Sequence, residues 1–155
     1  QLIKGGGAAL LREKIVAQQS SAMVVVADDR KKVETLGEFP LPIEITSFAH
    51  LTTVTALSNL LECPVGIRMD GEKPLITDNG NLIADAQTGP TISNPIQLEN
   101  DILQALALSS FSSSIFIFDM SMRLQLLPGR DENTEIIVRR WIISFGITDC
   151  FWQSV

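Results

Sequence analysis

The residues best suited to chemistry lie within ten positions near the start of the chain. They are Lys4, Gly5, Gly6, Gly7 and Glu13. Glycines let a backbone approach a ligand closely, and the free N–H groups at the start of a helix attract anions. A cation and a carboxylate beside such a loop can stabilise negative charge and move a proton. The pattern therefore indicates chemistry on a phosphorylated substrate.

Glu13 is predicted to lie on a helix over residues 8–19. At about 100° per residue, its neighbours on the helical wheel are all apolar: Ala9, Leu10, Val16 and Ala17. Partial desolvation on that face would make the carboxylate a stronger base. The wheel by itself favours the alternative, which is an ordinary solvated helix glutamate.

The glycine motif has a second interpretation, as a nucleotide-binding loop. Its form is Gly5-x-Gly7-x-x-Leu10, so it lacks the third glycine that close helix–strand packing requires in a dinucleotide fingerprint. Asp28 ends the next predicted strand, about where that fold places its ribose-binding acid. No Gly-Lys-Ser/Thr follows, which excludes a Walker loop. A nucleotide-binding Rossmann-like module is the weaker alternative, and a plain tight turn is another.

The elements around this motif predict the remnant of a Rossmann-like parallel sheet. Residues 22–27 form a continuous, β-branched apolar run, which is typical of a strand buried on both faces. Ligands bind at the carboxyl ends of parallel strands, so we expect Lys31, just past this run, on the same rim as Lys4. A sheet of two parallel strands would leave both edges bare.

From residue 39 the pattern changes to that of a small α+β unit. Strands are predicted at 43–45, 65–69 and 82–86, with helices at 48–61, capped by Thr46 or Ser47, and at 95–108. The order β-α-β-β-α is that of a ferredoxin-like unit, and residues 115–118 could supply its closing strand. Asp78, Asn79 and Asn81 are expected as turn residues.

We therefore predict an α/β protein in three parts. Residues 1–38 are the end of a catalytic α/β domain, 39–118 the small α+β unit, and 119–155 an extension of no recognised kind. The apolar runs at 136–138, 141–143 and 151–152 are expected to lack a packing partner. The sequence has no initiator methionine and opens inside a predicted strand, so we expect that it begins at a cut.

Composition excludes several classes of function. The 155 residues carry a net charge of −6, which argues against a nucleic-acid partner. No apolar run reaches the roughly 18 residues of a membrane span, so no membrane partner is expected. One histidine and two distant cysteines, Cys63 and Cys150, favour neither a metal site nor a redox pair.

Residues 3–17 (IKGGGAALLREKIVA) resemble the signature of type A ribose-5-phosphate isomerases. Four further stretches resemble that family in the same order: 26–28 with Lys31, 36–44, 77–81 and 94–99. The resemblance covers about residues 1–105. It implies interconversion of D-ribose 5-phosphate and D-ribulose 5-phosphate through an enediolate, in the non-oxidative pentose phosphate pathway, with no cofactor and no metal.

The resemblance also implies roles for individual residues. Glu13 would carry the proton, Lys4 and Lys31 would stabilise the oxyanion and the phosphate, and the N–H groups of Gly5–Gly7 would hold the sugar. The complete enzyme is expected to be a cytoplasmic homo-oligomer, with an organellar location left open.

Two loops that the family places before the glycine motif, one for phosphate and one acidic, do not occur in this sequence. We therefore expect this chain alone to bind ribose 5-phosphate poorly and to show no isomerase activity. A non-catalytic chain that acts in subunit association is the third interpretation.

Overall fold

The computed structural model describes residues 2–20, 24–28, 31 and 33–108, followed by strand segments at 113–115, 117–118, 125–128, 134–138 and 153–154. The helices in these residues are α1 (Leu11–Gln19), α2 (His50–Leu61) and α3 (Pro95–Leu108). The strands are β1 (Leu2–Ile3), β2 (Val24–Asp28), β3 (Leu41–Ile45), β4 (Val65–Ile67), β5 (Met69–Asp70), β6 (Lys73–Pro74), β7 (Leu82–Ala86), β8 (Ser113–Ile115), β9 (Ile117–Phe118), β10 (Gln125–Pro128), β11 (Thr134–Val138) and β12 (Gln153–Ser154).

A four-stranded antiparallel sheet forms the centre of the described chain, in the order β4-β7-β3-β8. Helix α2 connects β3 to β4, and α3 connects β7 to β8. This β-α-β-β-α-β arrangement is the ferredoxin-like unit that the sequence predicts. The closing strand is β8, which pairs Ile43 with Ile115, whereas β9 leaves this sheet and pairs with β1.

The two faces of this sheet have different neighbours, because successive side chains of a strand point to opposite sides. Ile43 and Ile45 belong to the hydrophobic core that also contains Leu57 of α2 and Ile102 of α3. Burial of each such side chain contributes about 1.5–3 kcal/mol. Glu44 points to the other face, and it is buried as well. Other parts of the protein must therefore pack against this second face of the sheet as well.

The sequence predicts that β1 and β2 are parallel neighbours, but in the structure they do not lie side by side. Strand β1 pairs antiparallel with β9 and β12, whereas β2 pairs antiparallel with β11 in a different sheet. An apolar, β-branched run predicts a buried strand but not the direction of the neighbouring strand. Antiparallel neighbours can satisfy the hydrogen bonds of its backbone N–H and C=O groups as well as parallel ones. The bare edges predicted for β1 are therefore wrong.

The last part of the chain supplies these partners. Residues 136–138, predicted to lack a partner, belong to β11 and pair with β2 and β10. The predictions for 141–143 and 151–152 fall outside the described residues. The division of the chain at residues 38 and 118 stays a prediction.

Helix starts depend on local geometry that the sequence showed only in part. Helix α1 begins at Leu11 rather than at residue 8, because Ala8 has a left-handed φ of 66°. Helix α2 follows Ala49, also left-handed and without a side-chain cap, so the capping role predicted for Thr46 or Ser47 is wrong. Helix α3 has the expected first-position proline, and Asn94 Oδ1 accepts from Gln97 N at 3.2 Å.

Candidate active site

The glycine loop connects β1 to α1 and folds tightly against the second face of the ferredoxin-like sheet. Gly5 has a φ of +105°, and the N–H of Ala8 donates to its carbonyl at 3.1 Å. A Cβ at Gly5 would lie 2.7 Å from Leu10 Cδ2 and 3.0 Å from Pro42 Cβ, so neither the conformation nor the space allows a side chain. The fold of this loop thus requires glycine at position 5, independently of any ligand.

The structure brings Lys4 and Glu13 together. Lys4 Nζ forms an ion pair with Glu13 Oε2, and the two side chains are only 4% and 13% exposed. Lys4 Nζ also donates to Ala9 O at 3.3 Å. The candidate base and the candidate cation are therefore direct neighbours in a largely desolvated position, where their charges interact strongly.

A second carboxylate, Glu44, lies beneath the start of α1. It is 1% exposed, and its Oε2 accepts from the Leu11 N–H at 3.0 Å. Its Oε1 accepts from Thr77 Oγ1, Asn79 Nδ2 and Asn81 Nδ2 at 2.8–3.0 Å. An internal anion thus occupies the N-terminal end of α1, which the sequence analysis had left open for a ligand.

Arg68 was also missed from the sequence, and it holds the glycine loop from the opposite side. Its Nε and Nη2 donate to Asp85 Oδ2 and Oδ1 at 2.8 and 2.5 Å. Its Nη1 donates to the carbonyls of Gly5 and Gly6 at 2.7 and 2.9 Å. The sequence carries only a weak signal for this contact. Arg68 follows one apolar strand and Asp85 lies in another, and the two meet only because β4 pairs with β7.

Two further contacts fix α1 in place. Lys14 Nζ pairs with Glu99 Oε1 of α3 at 2.7 Å, with both side chains largely buried. Arg12, 65% exposed, donates to Asn79 Oδ1 and Asp78 O at 2.9 and 2.7 Å. Asn79 and Asn81 therefore do more than form the turn predicted for them, because the loop over residues 77–81 connects α1 to Glu44.

Lys31 is half-buried in the structure. Its expected place beside Lys4 rested on β1 and β2 being parallel neighbours, and these strands lie in separate sheets. A place for Lys31 in the site therefore stays a prediction.

Within the described residues, no group of three or more His, Cys, Asp or Glu side chains is close enough to hold a metal ion. Burial raises the pKa of the Cys63 thiol, and a backbone hydrogen bond from Gln87 opposes that rise. The protonated thiol is a poor nucleophile and a poor metal ligand. No helix in the same residues is long and apolar enough to cross a membrane.

The described chain thus combines an α/β architecture with a glycine loop that places a buried lysine beside a helical glutamate. The family model of ribose 5-phosphate isomerase A (phosphoriboisomerase A) matches residues 1–120. The chain belongs to this family.

Individual relatives agree with this membership. Ribose-5-phosphate isomerase A of Bacillus mycoides is 53% identical over 95 residues, which are 61% of this chain and 42% of the relative. Ribose-5-phosphate isomerase A 1 of Oceanobacillus iheyensis is 40% identical over 87% of this chain and 57% of its own length. The solved structure of the Methanocaldococcus jannaschii enzyme superposes with a TM-score of 0.67 at 31% identity, covering 88% of this chain and 58% of that one. The chain thus spans about half the length of the relatives it matches.

Proposed function

We propose that this chain carries the proton-transfer part of a site that interconverts D-ribose 5-phosphate and D-ribulose 5-phosphate. The observation that supports this most directly is the buried contact of Lys4 with Glu13 beside the glycine loop. A general base must be held within reach of the proton it moves, and its charge needs a nearby counter-ion when water is largely excluded. Lys4, in the loop that leads into α1, supplies this counter-ion to Glu13.

In aldose–ketose isomerisation, one carboxylate can move the proton between the two neighbouring carbons C2 and C1. Glu13 removes the proton from C2 of the open-chain aldose, and negative charge appears on O1 as the C1–C2 double bond forms. A proton then passes from O2 to O1, and Glu13 returns its proton to C1 to give the ketose. The negative charge leaves Glu13 for the substrate oxygens and comes back, and Lys4 stabilises it in both positions.

The remaining assignments concern binding. The N–H groups of the Gly5–Gly7 loop would donate to sugar oxygens, and Lys31 would meet the phosphate. The nucleotide-binding alternative has lost its support, because a dinucleotide fold needs parallel first and second strands. Here β1 and β2 are in separate sheets, and Asp28 pairs with Thr134 of an antiparallel neighbour.

The complete enzyme is proposed to be a cytoplasmic homo-oligomer. Light scattering of the purified protein, and fractionation of the cells that make it, would test these two points. If the chain acts only in subunit association, it will form assemblies but neither bind ribose 5-phosphate nor exchange its protons.

The decisive experiment follows the proton itself. Ribose 5-phosphate is incubated in D₂O with the chain extended at its N-terminus by the two loops that this sequence lacks, and NMR measures deuterium at the exchanging carbon together with the ketose formed. Glu13→Gln should lower the exchange rate by about 10²–10⁴-fold while sugar-phosphate binding remains. Glu99→Gln is the matched control, because Glu99 is also a largely buried carboxylate paired with a lysine. Equal exchange rates in Glu13→Gln and the wild type would rule out Glu13 as the general base. Tighter binding of NAD than of ribose 5-phosphate would restore the nucleotide-binding alternative.

A further inference from the structure

We propose that Arg68 is a positioning residue, which turns the N–H groups of Gly6 and Gly7 toward the substrate. The inference rests on the proposed function for the identity of the substrate. Its geometric part depends only on the hydrogen bonds that Arg68 makes in the described chain.

The direction of the N–H groups follows from the direction of the carbonyls. The Gly5 carbonyl shares a peptide plane with the Gly6 N–H, and the Gly6 carbonyl shares one with the Gly7 N–H. The described chain contains no cis peptide, and in a trans peptide the C=O and N–H bonds point in opposite directions. Arg68 Nη1 holds both carbonyls, at 2.7 and 2.9 Å. Both N–H groups must therefore point away from Arg68, on the opposite side of the loop.

These two N–H groups are available for a ligand. In the part of the chain that the structure describes, neither donates a hydrogen bond within the protein. Gly6 is half-buried and Gly7 is exposed, so an oxygen atom from outside can reach them. Two donors already fixed in direction can bind an oxygen without reorganising, which is the property that makes such pairs effective in active sites. The N–H of Gly5 is not controlled by Arg68, which limits the proposal to Gly6 and Gly7.

The position of Arg68 is itself fixed by the sheet. Its backbone N–H donates to Ile83 O at 2.8 Å, and its carbonyl accepts from Leu75 N at 2.9 Å. Asp85, on the neighbouring strand β7, binds the Nε and Nη2 edge of the guanidinium. Only the planar fork of arginine can hold a carboxylate on one edge and reach two carbonyls from another nitrogen. A lysine has the charge but not this geometry.

The ligand-free chain tests the geometric part. Arg68→Met and Arg68→Lys are compared with Arg12→Met, which removes an exposed arginine that also bonds a backbone carbonyl. The ¹⁵N relaxation of Gly6 and Gly7 should show a less ordered loop in both Arg68 variants and no change in the Arg12 variant. Unchanged order at Gly6 and Gly7 in Arg68→Met would overturn the proposal. If Arg68→Met does not fold, Arg68→Lys and Asp85→Asn decide the question by the same measurement.

Titration with ribose 5-phosphate, carried out on the chain extended at its N-terminus by the two loops that this sequence lacks, tests the functional part. In the wild type, the amide signals of Gly6 and Gly7 should shift on binding, and in Arg68→Lys these shifts should shrink while affinity falls about tenfold or more. The loss should appear in KM and in kcat, because the same N–H groups would hold the substrate and stabilise the enediolate. Variants that bind as the wild type does, with the same glycine shifts, would show that Arg68 serves only the fold. If the wild type itself gives no response to ribose 5-phosphate, the proposed function fails, and the relaxation comparison still decides the role of Arg68.

Discussion

At the scale of single residues, the site depends on pairs of opposite charges withdrawn from water. Lys4 and Glu13 show this most clearly, since both side chains are largely buried. Removal of one member of such a pair leaves a buried charge without compensation, whereas removal of both often costs little. The pair therefore predicts a strongly non-additive mutant cycle.

The expected values for this cycle are specific. Lys4→Met should lower the free energy of unfolding by about 3–5 kcal/mol, because it leaves the Glu13 carboxylate buried without its counter-ion. The double variant Lys4→Met/Glu13→Gln should recover most of that loss. Urea unfolding followed by circular dichroism measures all four proteins of the cycle. Additive losses in the double variant would mean that the two charges do not stabilise one another.

Lys31 allows a second test at this scale. If it meets the phosphate, Lys31→Met should weaken binding of ribose 5-phosphate by about tenfold while binding of free ribose stays the same. Calorimetric titration of the N-terminally extended chain with the two sugars measures both affinities. An equal loss for ribose and for its phosphate would place Lys31 in the fold or near the sugar oxygens instead.

At the scale of elements, α1 is held by residues that are distant in sequence. Leu11 bonds Glu44 across 33 positions, and Lys14 pairs with Glu99 across 85. Glu44 has the larger share of this task, since one carboxylate accepts from the helix start and from three side chains of the 77–81 loop. The helix that carries Glu13 therefore depends on a residue of the central strand.

Substitution of Glu44 should expose this dependence. Glu44→Gln turns one acceptor oxygen into a donor that faces donors, so the free energy of unfolding should fall by about 3 kcal/mol. Glu99→Gln should cost less, about 1.5 kcal/mol, because the amide oxygen can still accept from Lys14 Nζ and no donor is turned toward another donor. Thermal and urea unfolding compare the two variants directly. Equal costs would show that the four bonds to Glu44 contribute no more than the single Lys14–Glu99 pair.

The same elements show what sequence patterns can predict. Local signals located α3 and β7 at their observed bounds, because capping, periodicity and turn residues act within a few positions. The pattern also singled out Lys4 and Glu13, which lie within ten residues of each other, but their direct contact comes from the structure. Arg68 and Glu44 were missed because their roles depend on partners 63 and 33 residues away. The neighbours of β1 and β2 were predicted wrongly for the same reason, because their partners follow α3 in the chain.

At the scale of the whole molecule, the residues after α3 supply strands to the three larger sheets of the described chain. Strand β8 completes the ferredoxin-like sheet beside β3, and β9 and β12 flank β1. Strand β11 pairs along all five residues of β2. An unpaired strand edge is unstable in water, so these late segments contribute to the order of the early ones.

Two truncations separate the contributions of these segments. A chain of residues 1–108 lacks β8 and both partners of β1, so its unfolding in urea should lose cooperativity. A chain of residues 1–118 keeps β8 and β9, and its central sheet should still unfold cooperatively, although residues 24–28 have lost β11. Hydrogen exchange measures each part: the amides of residues 43–45 should as a group exchange faster in 1–108 than in 1–118, because β8 pairs with β3 at these three positions. Equal protection of β3 in the two chains would show that β8 is not needed for the stability of the central sheet. If the 1–118 chain is unfolded, residues 119–155 are an integral part of the small unit rather than an extension of it.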